Sequence, residues 1–69
     1  MTNSVYKVIE LVGSSSTSWE EAARCAVEQA GKHLRELRIA EVSDLDMKLE
    51  EGKVTAYRAK VKVSFRYEG

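Results

Sequence analysis

The apolar pattern of residues 18–37 constrains this chain more than any other feature. Trp19, Ala22, Ala23, Ala26, Ala30, Leu34 and Leu37 recur at steps of three and four, the period of one helix face and not of a strand. The spacing predicts a helix over 18–37. Ser18 with Glu21 three residues later reads as a capping box, and Glu20 and Glu21 put negative charge at the positive end of the helix dipole. Arg24, Glu28, Lys32, Arg35 and Glu36 fall off the apolar side. One face therefore needs a partner and the other needs water. Four of the seven inward residues are alanine, so a sheet can approach this helix closely.

The flanking segments supply that sheet. Residues 5–12 are rich in Val, Ile, Leu and Tyr and read as a strand stopped by Gly13. Residues 13–17 form a Gly/Ser/Thr connection that reads as a loop and cap; no Walker-type glycine and lysine spacing supports a phosphate site there. After the helix, residues 39–49 read as a second strand, residues 50–53 as a tight turn with Gly52 available for positive φ, and residues 54–67 as a third strand. The last strand alternates cleanly. Tyr57, Ala59, Val61, Val63 and Phe65 face one way, while Arg58, Lys60, Lys62, Ser64 and Arg66 face the other.

A three-residue loop at residues 51–53 pairs Asp46 with Arg58, Asp44 with Lys60, Met47 with Tyr57 and Leu45 with Ala59. Opposite charges then meet, apolar residues meet, and a one-residue slip would destroy both matches. The strand–helix–strand order makes the first two strands parallel by a right-handed crossover. If the third strand sits between them, all neighbours are antiparallel and the sheet curls around the helix. The expected fold class is α+β, a βαββ unit in a single domain spanning residues 1–69. Its second sheet face is left uncovered.

Size then argues for assembly. A chain of 69 residues buries little surface and ordinarily needs a staple. One cysteine excludes an internal disulfide, and the lone histidine excludes a Cys/His zinc site. Oligomerisation is left. Eleven basic and eleven acidic residues give no net charge, so the electrostatic footprint for nucleic acid or an anionic membrane is missing. With no apolar run of transmembrane length and no signal-peptide core, a cytoplasmic protein is expected.

The chain resembles the dodecins. The matching residues are Val5-Tyr6-Lys7-Val8-Ile9-Glu10-Leu11-Val12-Gly13-Ser14-Ser15, Glu20-Glu21-Ala22-Ala23, Glu41-Val42 and Val61-Lys62-Val63-Ser64-Phe65. The resemblance covers essentially the whole chain and implies a hollow homododecamer with cubic symmetry. Flavin-binding dodecins stack a tryptophan on the isoalloxazine ring and hydrogen-bond its polar edge with a glutamine. Those positions correspond to Ile39 and Arg58 here. Ile39 cannot provide an aromatic stack, and Arg58 donates hydrogen bonds but accepts none. With Asp46 opposite Arg58, the pocket position is occupied by an internal ion pair. A variant branch, the calcium dodecins, is similar in Ser16-Thr17-Ser18-Trp19-Glu20, Ile39-Ala40, Asp46-Met47 and Tyr57-Arg58. That resemblance implies a shell binding calcium rather than flavin.

Calcium takes six to eight oxygens. Among the acidic residues Glu41, Asp44, Asp46, Glu50 and Glu51 no EF-hand loop is formed. Glu41, Asp44 and Asp46 are the metal candidates, on the chemistry of carboxylates repeated around a symmetry axis. Pairing of Asp44 and Asp46 with lysine and arginine is the plainer reading of those two. Trp19 reads as a core or interface anchor, Tyr6, Tyr57 and Tyr67 as subunit contacts, and His33 and Cys25 as incidental. The basic row Arg58, Lys60, Lys62 and Arg66 reads as a solvated or ion-paired strand face. No nucleophile and base, and no acid–base pair, point to an enzyme. The expected function is sequestration or storage of a small ligand or cation, calcium first. A riboflavin or FMN store with an altered pocket and a structural shell with a vestigial pocket stand as the alternatives.

Overall fold

The computed structural model describes residues 3–67. Strand β1 (Tyr6–Ser15), helix α1 (Trp19–Gly31), strand β2 (Leu37–Glu50) and strand β3 (Lys53–Arg66) follow in chain order. The sheet order is β1-β3-β2, with both neighbouring pairs antiparallel. The βαββ expectation and the central place of β3 hold. Helix α1 lies on one sheet face, where Ala22, Ala26, Ala59, Val61 and Val63 form the buried core, edged by Ile9, Leu11, Val27 and Leu37. All the fully buried side chains are alanine or valine, so helix and sheet sit close together.

Three boundaries differ from the sequence reading. The helix ends at Gly31, not near Leu37. Glycine weakens a helix interior by roughly 1 kcal/mol relative to alanine, and the chain leaves the helix by tight turns in which the Lys32, His33 and Leu34 amides donate to Gln29 and Ala30 carbonyls. Glu36 then takes a left-handed conformation (φ 58°), and Leu37 enters β2 opposite Phe65. Its helical spacing is a coincidence that still serves the same core.

The second difference is Gly13, which does not stop β1 but lies inside it, opposite Ala59. A Cβ there would stand 1.9 Å from the Ala22 carbonyl oxygen and 3.1 Å from Ala26 Cβ. Gly13 is the position where the helix backbone rests on the strand. The third difference is at the cap. Ser18 Oγ accepts the Glu21 amide at 3.1 Å as expected, but the reciprocal half of the capping box is missing. Ser15 Oγ accepts the Ser18 and Thr17 amides instead, and the Glu21 carboxylate pairs with Arg24.

The hairpin register agrees with expectation by a different route. The loop holds two residues, Glu51 (φ 52°) and Gly52 (φ 77°), with Glu50 opposite Lys53. Positive φ at both central positions is the two-residue hairpin geometry that matches strand twist. The extra residue placed in the loop by the sequence reading is a bulge at Thr55, between the Lys48–Ala56 and Leu49–Val54 pairs. Beyond it Met47 faces Tyr57, Asp46 faces Arg58, Leu45 faces Ala59 and Asp44 faces Lys60. Two further irregularities, at Ser43 and Arg38, interrupt β2 and bend the sheet.

The result is extended. The radius of gyration is 14.3 Å and the principal extents are 55 × 20 × 16 Å, whereas a compact chain of this length would have a radius near ~11 Å. The accessible surface is 5430 Å², against about 4,400 Å² for a self-contained monomer of this mass.

Candidate functional site

The sheet face turned away from α1 carries nearly all the chemistry. β3 presents Arg58, Lys60, Lys62, Ser64 and Arg66 there, flanked on β1 by Ser14, Val12, Glu10, Val8 and Tyr6. On β2 the matching positions are Asp46, Asp44, Glu41 and Ile39, opposite Arg58, Lys60, Lys62 and Ser64. Glu41 and Asp44 are three residues apart, and strict alternation would place them on opposite faces. The bulge at Ser43 restores Asp44 to the face of Glu41 and Asp46. The Ser43 hydroxyl donates to the Lys60 carbonyl at 3.2 Å, tying the bulge to β3. A row of three carboxylates along an edge strand therefore depends on one irregular residue.

The members of this row are not equivalent. Arg58 grips Asp46 with two hydrogen bonds, Nε to Oδ1 at 2.7 Å and a terminal guanidinium nitrogen to Oδ2 at 2.8 Å. Both side chains are half-exposed. This fork geometry fixes two planar groups against each other and occupies both carboxylate oxygens. The hydrogen bond from Arg58 holds the Asp46 carboxyl below its ordinary pKa. Partial desolvation opposes this, and the charges of Arg58 and Lys60 reinforce it. The same bond raises the Arg58 pKa. Asp46 is thus an ion-pair partner first, whereas Asp44 and Glu41 face lysines across the ladder.

Trp19 secures the same stretch from the other side. Its indole N–H donates to the Asp46 carbonyl at 3.1 Å, and its ring meets Tyr57 edge-on, with centroids 5.0 Å apart. It is 37 % exposed and anchors the helix start to the hairpin without entering the core. Tyr57 likewise has an intrachain partner. Tyr6 and Tyr67 are about half exposed. Cys25 is exposed on α1, and His33 lies past its end, also exposed.

The structure does not bring the flavin-pocket positions together in one chain. Ile39 is 65 % exposed and sits opposite Ser64, six residues along β3 from Arg58, a separation of roughly 20 Å. A pocket using Ile39 with Arg58 and Asp46 has to draw them from different copies. The same is true of a calcium site. Among the described residues no cluster of three or more His, Cys, Asp or Glu side chains is arranged to hold a metal ion, so the carboxylates of one chain do not fit calcium alone. No helix among the described residues is long and apolar enough to cross a membrane.

Comparison with known proteins agrees with this architecture. The family model described as Dodecin matches residues 5–68. Calcium dodecin of Mycobacterium tuberculosis is 48 % identical over 64 residues, spanning 91 % of this chain and 89 % of that protein. Dodecin of Thermus thermophilus is 39 % identical over 64 residues, spanning 93 % of each. Among solved structures, dodecin from Streptomyces coelicolor superposes with a TM-score of 0.91 at 36 % identity, covering 100 % of this chain and 99 % of that one. The calcium-chelating immunodominant antigen of Mycobacterium tuberculosis, a calcium dodecin described with a novel calcium-binding site, superposes with a TM-score of 0.84 at 45 % identity, covering 94 % and 93 %.

Proposed function

Since the chain belongs to the dodecin family, we propose that it builds a homododecameric shell that binds a cation, calcium in particular, and not flavin. The observation that carries the ligand reading is the Arg58–Asp46 fork. The residue at the flavin-edge position has its guanidinium committed to a carboxylate of its own chain, and Ile39 offers no aromatic surface to compensate. The proposed cation ligands are Glu41 and Asp44, on the same face as Asp46 and not held by a guanidinium. Repetition around a symmetry axis multiplies one carboxylate into three or six oxygens, the number a calcium ion requires. The likeness to calcium dodecin supports the same choice. The surplus accessible surface of the isolated chain supports the assembly.

The test is a pair of titrations on protein whose assembly is first established by light scattering. A ligand that binds only the folded assembly raises its stability, by about 2.7 kcal/mol per site at a hundredfold excess over Kd. Calcium should raise Tm, and the double substitution Glu41→Gln with Asp44→Asn should abolish the rise without changing the assembly mass. Riboflavin should leave Tm and its own fluorescence unchanged. Stoichiometric quenching of riboflavin at micromolar concentration would overturn the choice of cation over flavin. Restoring affinity through Ile39→Trp with Arg58→Gln would identify those two positions as the cause of its loss.

A further inference from the structure

The shell reading leaves open which surfaces of the chain meet, and two apolar surfaces on opposite flanks of α1 are incomplete. The first is a strip on the helix-side face of the β2–β3 hairpin. Val42, Leu45 and Met47 stand opposite Val61, Ala59 and Tyr57, which fixes their face, and Leu49 and Val54 continue it to the tip. All five are about half exposed or more, from 45 % at Val54 to 60 % at Leu49. Helix α1 starts at Trp19, level with Asp46 and Tyr57, so nothing in the chain covers the hairpin beyond that point. The second surface is a groove of about 410 Å³ between β1 and α1, lined by Ile9, Leu11, Ala26, Ala30 and Leu34, with Cys25 at its rim.

Resting on the homo-oligomer reading above, we infer that the hairpin strip of one copy seats in the β1–α1 groove of a second copy, head to tail. Three observations commit the occupant. The surface in excess of a self-contained monomer is about 1,000 Å², close to the roughly 800 Å² per partner of a standard specific interface. The 55 Å extent places the hairpin as an arm beyond the helix-covered body, so it can reach a neighbour while it cannot fold back. The strip and the groove lie on opposite flanks of the helix, so the strip cannot fill its own groove. A contact between two different surfaces propagates from copy to copy and closes as a ring, whereas a two-fold contact would set strip against strip.

Cys25 is the chain's single cysteine, which makes it a built-in reporter for the groove. The experiment places a second thiol on the arm as Leu49→Cys, and separately as Met47→Cys, and treats the assembled protein with a short bismaleimide. Covalent products beyond the dimer are expected on a denaturing gel for either variant, with none from the natural chain or when Cys25→Ser is added. Dimers formed by Leu49→Cys in the Cys25→Ser background would overturn the inference in favour of a strip-to-strip two-fold contact. Absence of products from both variants, in protein that light scattering shows to be assembled, would overturn it outright. A natural chain that scatters as a monomer at these concentrations refutes the shell reading itself, a result separable from the other two.

Discussion

Gly13→Ala sets two physical effects against each other. Gly13 lies in a strand and does not adopt a positive φ, so the backbone alone favours the substitution. Alanine at a compatible position stabilises by about 0.4–1 kcal/mol through the unfolded chain. The packing says the opposite. The new methyl carbon would lie 1.9 Å from the Ala22 carbonyl oxygen and 2.9 Å from its carbonyl carbon, whereas ordinary contact begins near 3.4 Å. Relief requires the helix backbone to retreat by about 1.5 Å, because the obstructing atoms are main chain and not a flexible side-chain end. That retreat separates Ala22 and Ala26 from Ala59, Val61 and Val63, the five buried residues of the core cluster. Overpacking of this kind costs about 1–3 kcal/mol and sometimes more, against a total of roughly 3–10 kcal/mol for a domain of this length. The expected outcome is a net loss of about 2 kcal/mol or more. The assay is urea unfolding followed by circular dichroism at matched subunit concentration, since assembly makes stability concentration-dependent. An unchanged or raised midpoint at unchanged slope would show that the helix does not rest on Gly13, and the account of the interface would fail.

Trp19→Phe retains a ring against Tyr57 but removes the donor to the Asp46 carbonyl; a net loss of about 1 kcal/mol is expected, seen as a Tm lower by roughly 4–8 °C, and an unchanged melt would mean that the indole hydrogen bond is not made in solution. Asp46 has a lowered folded pKa, so its contribution is complete above the ordinary carboxylate value near ~3.9 and disappears as pH falls through the lowered one. Asp46→Asn should therefore flatten the acid limb of the stability curve while lowering its neutral plateau, and parallel curves for the two proteins would refute the assignment.

Much of the fold is legible in the chain because its signals are local and mutually consistent. The alternation of β3 is unbroken from Tyr57 to Phe65, and the charge matches of Asp46 with Arg58 and Asp44 with Lys60 admit one register, so the sheet order follows. The register survived a misplaced residue. Moving it from the loop to Thr55 preserves every pair beyond the bulge, which is why pair chemistry is a stronger guide than loop length. The helix end was not legible in the same way. Leu34 and Leu37 fit a helical period and also fit a turn followed by a strand, and periodicity carries no information on which hydrogen bonds close first.

The candidate site divides along the same line. Residue types determined that Ile39 lacks an aromatic ring, that Arg58 can only donate, and that Asp46 faces it. Only the tertiary structure decided that Glu41 and Asp44 share a face, because a single-residue bulge has no compositional signature and reverses the side-chain sense of everything beyond it. Only the tertiary structure, likewise, separated Ile39 from Arg58 by the length of a strand and made Gly13 a contact between backbones. Local patterns in a sequence fix what each segment prefers. Distances between segments are set by where main chains touch, and in this protein that is at Gly13, Ser43 and the free flanks of one short helix.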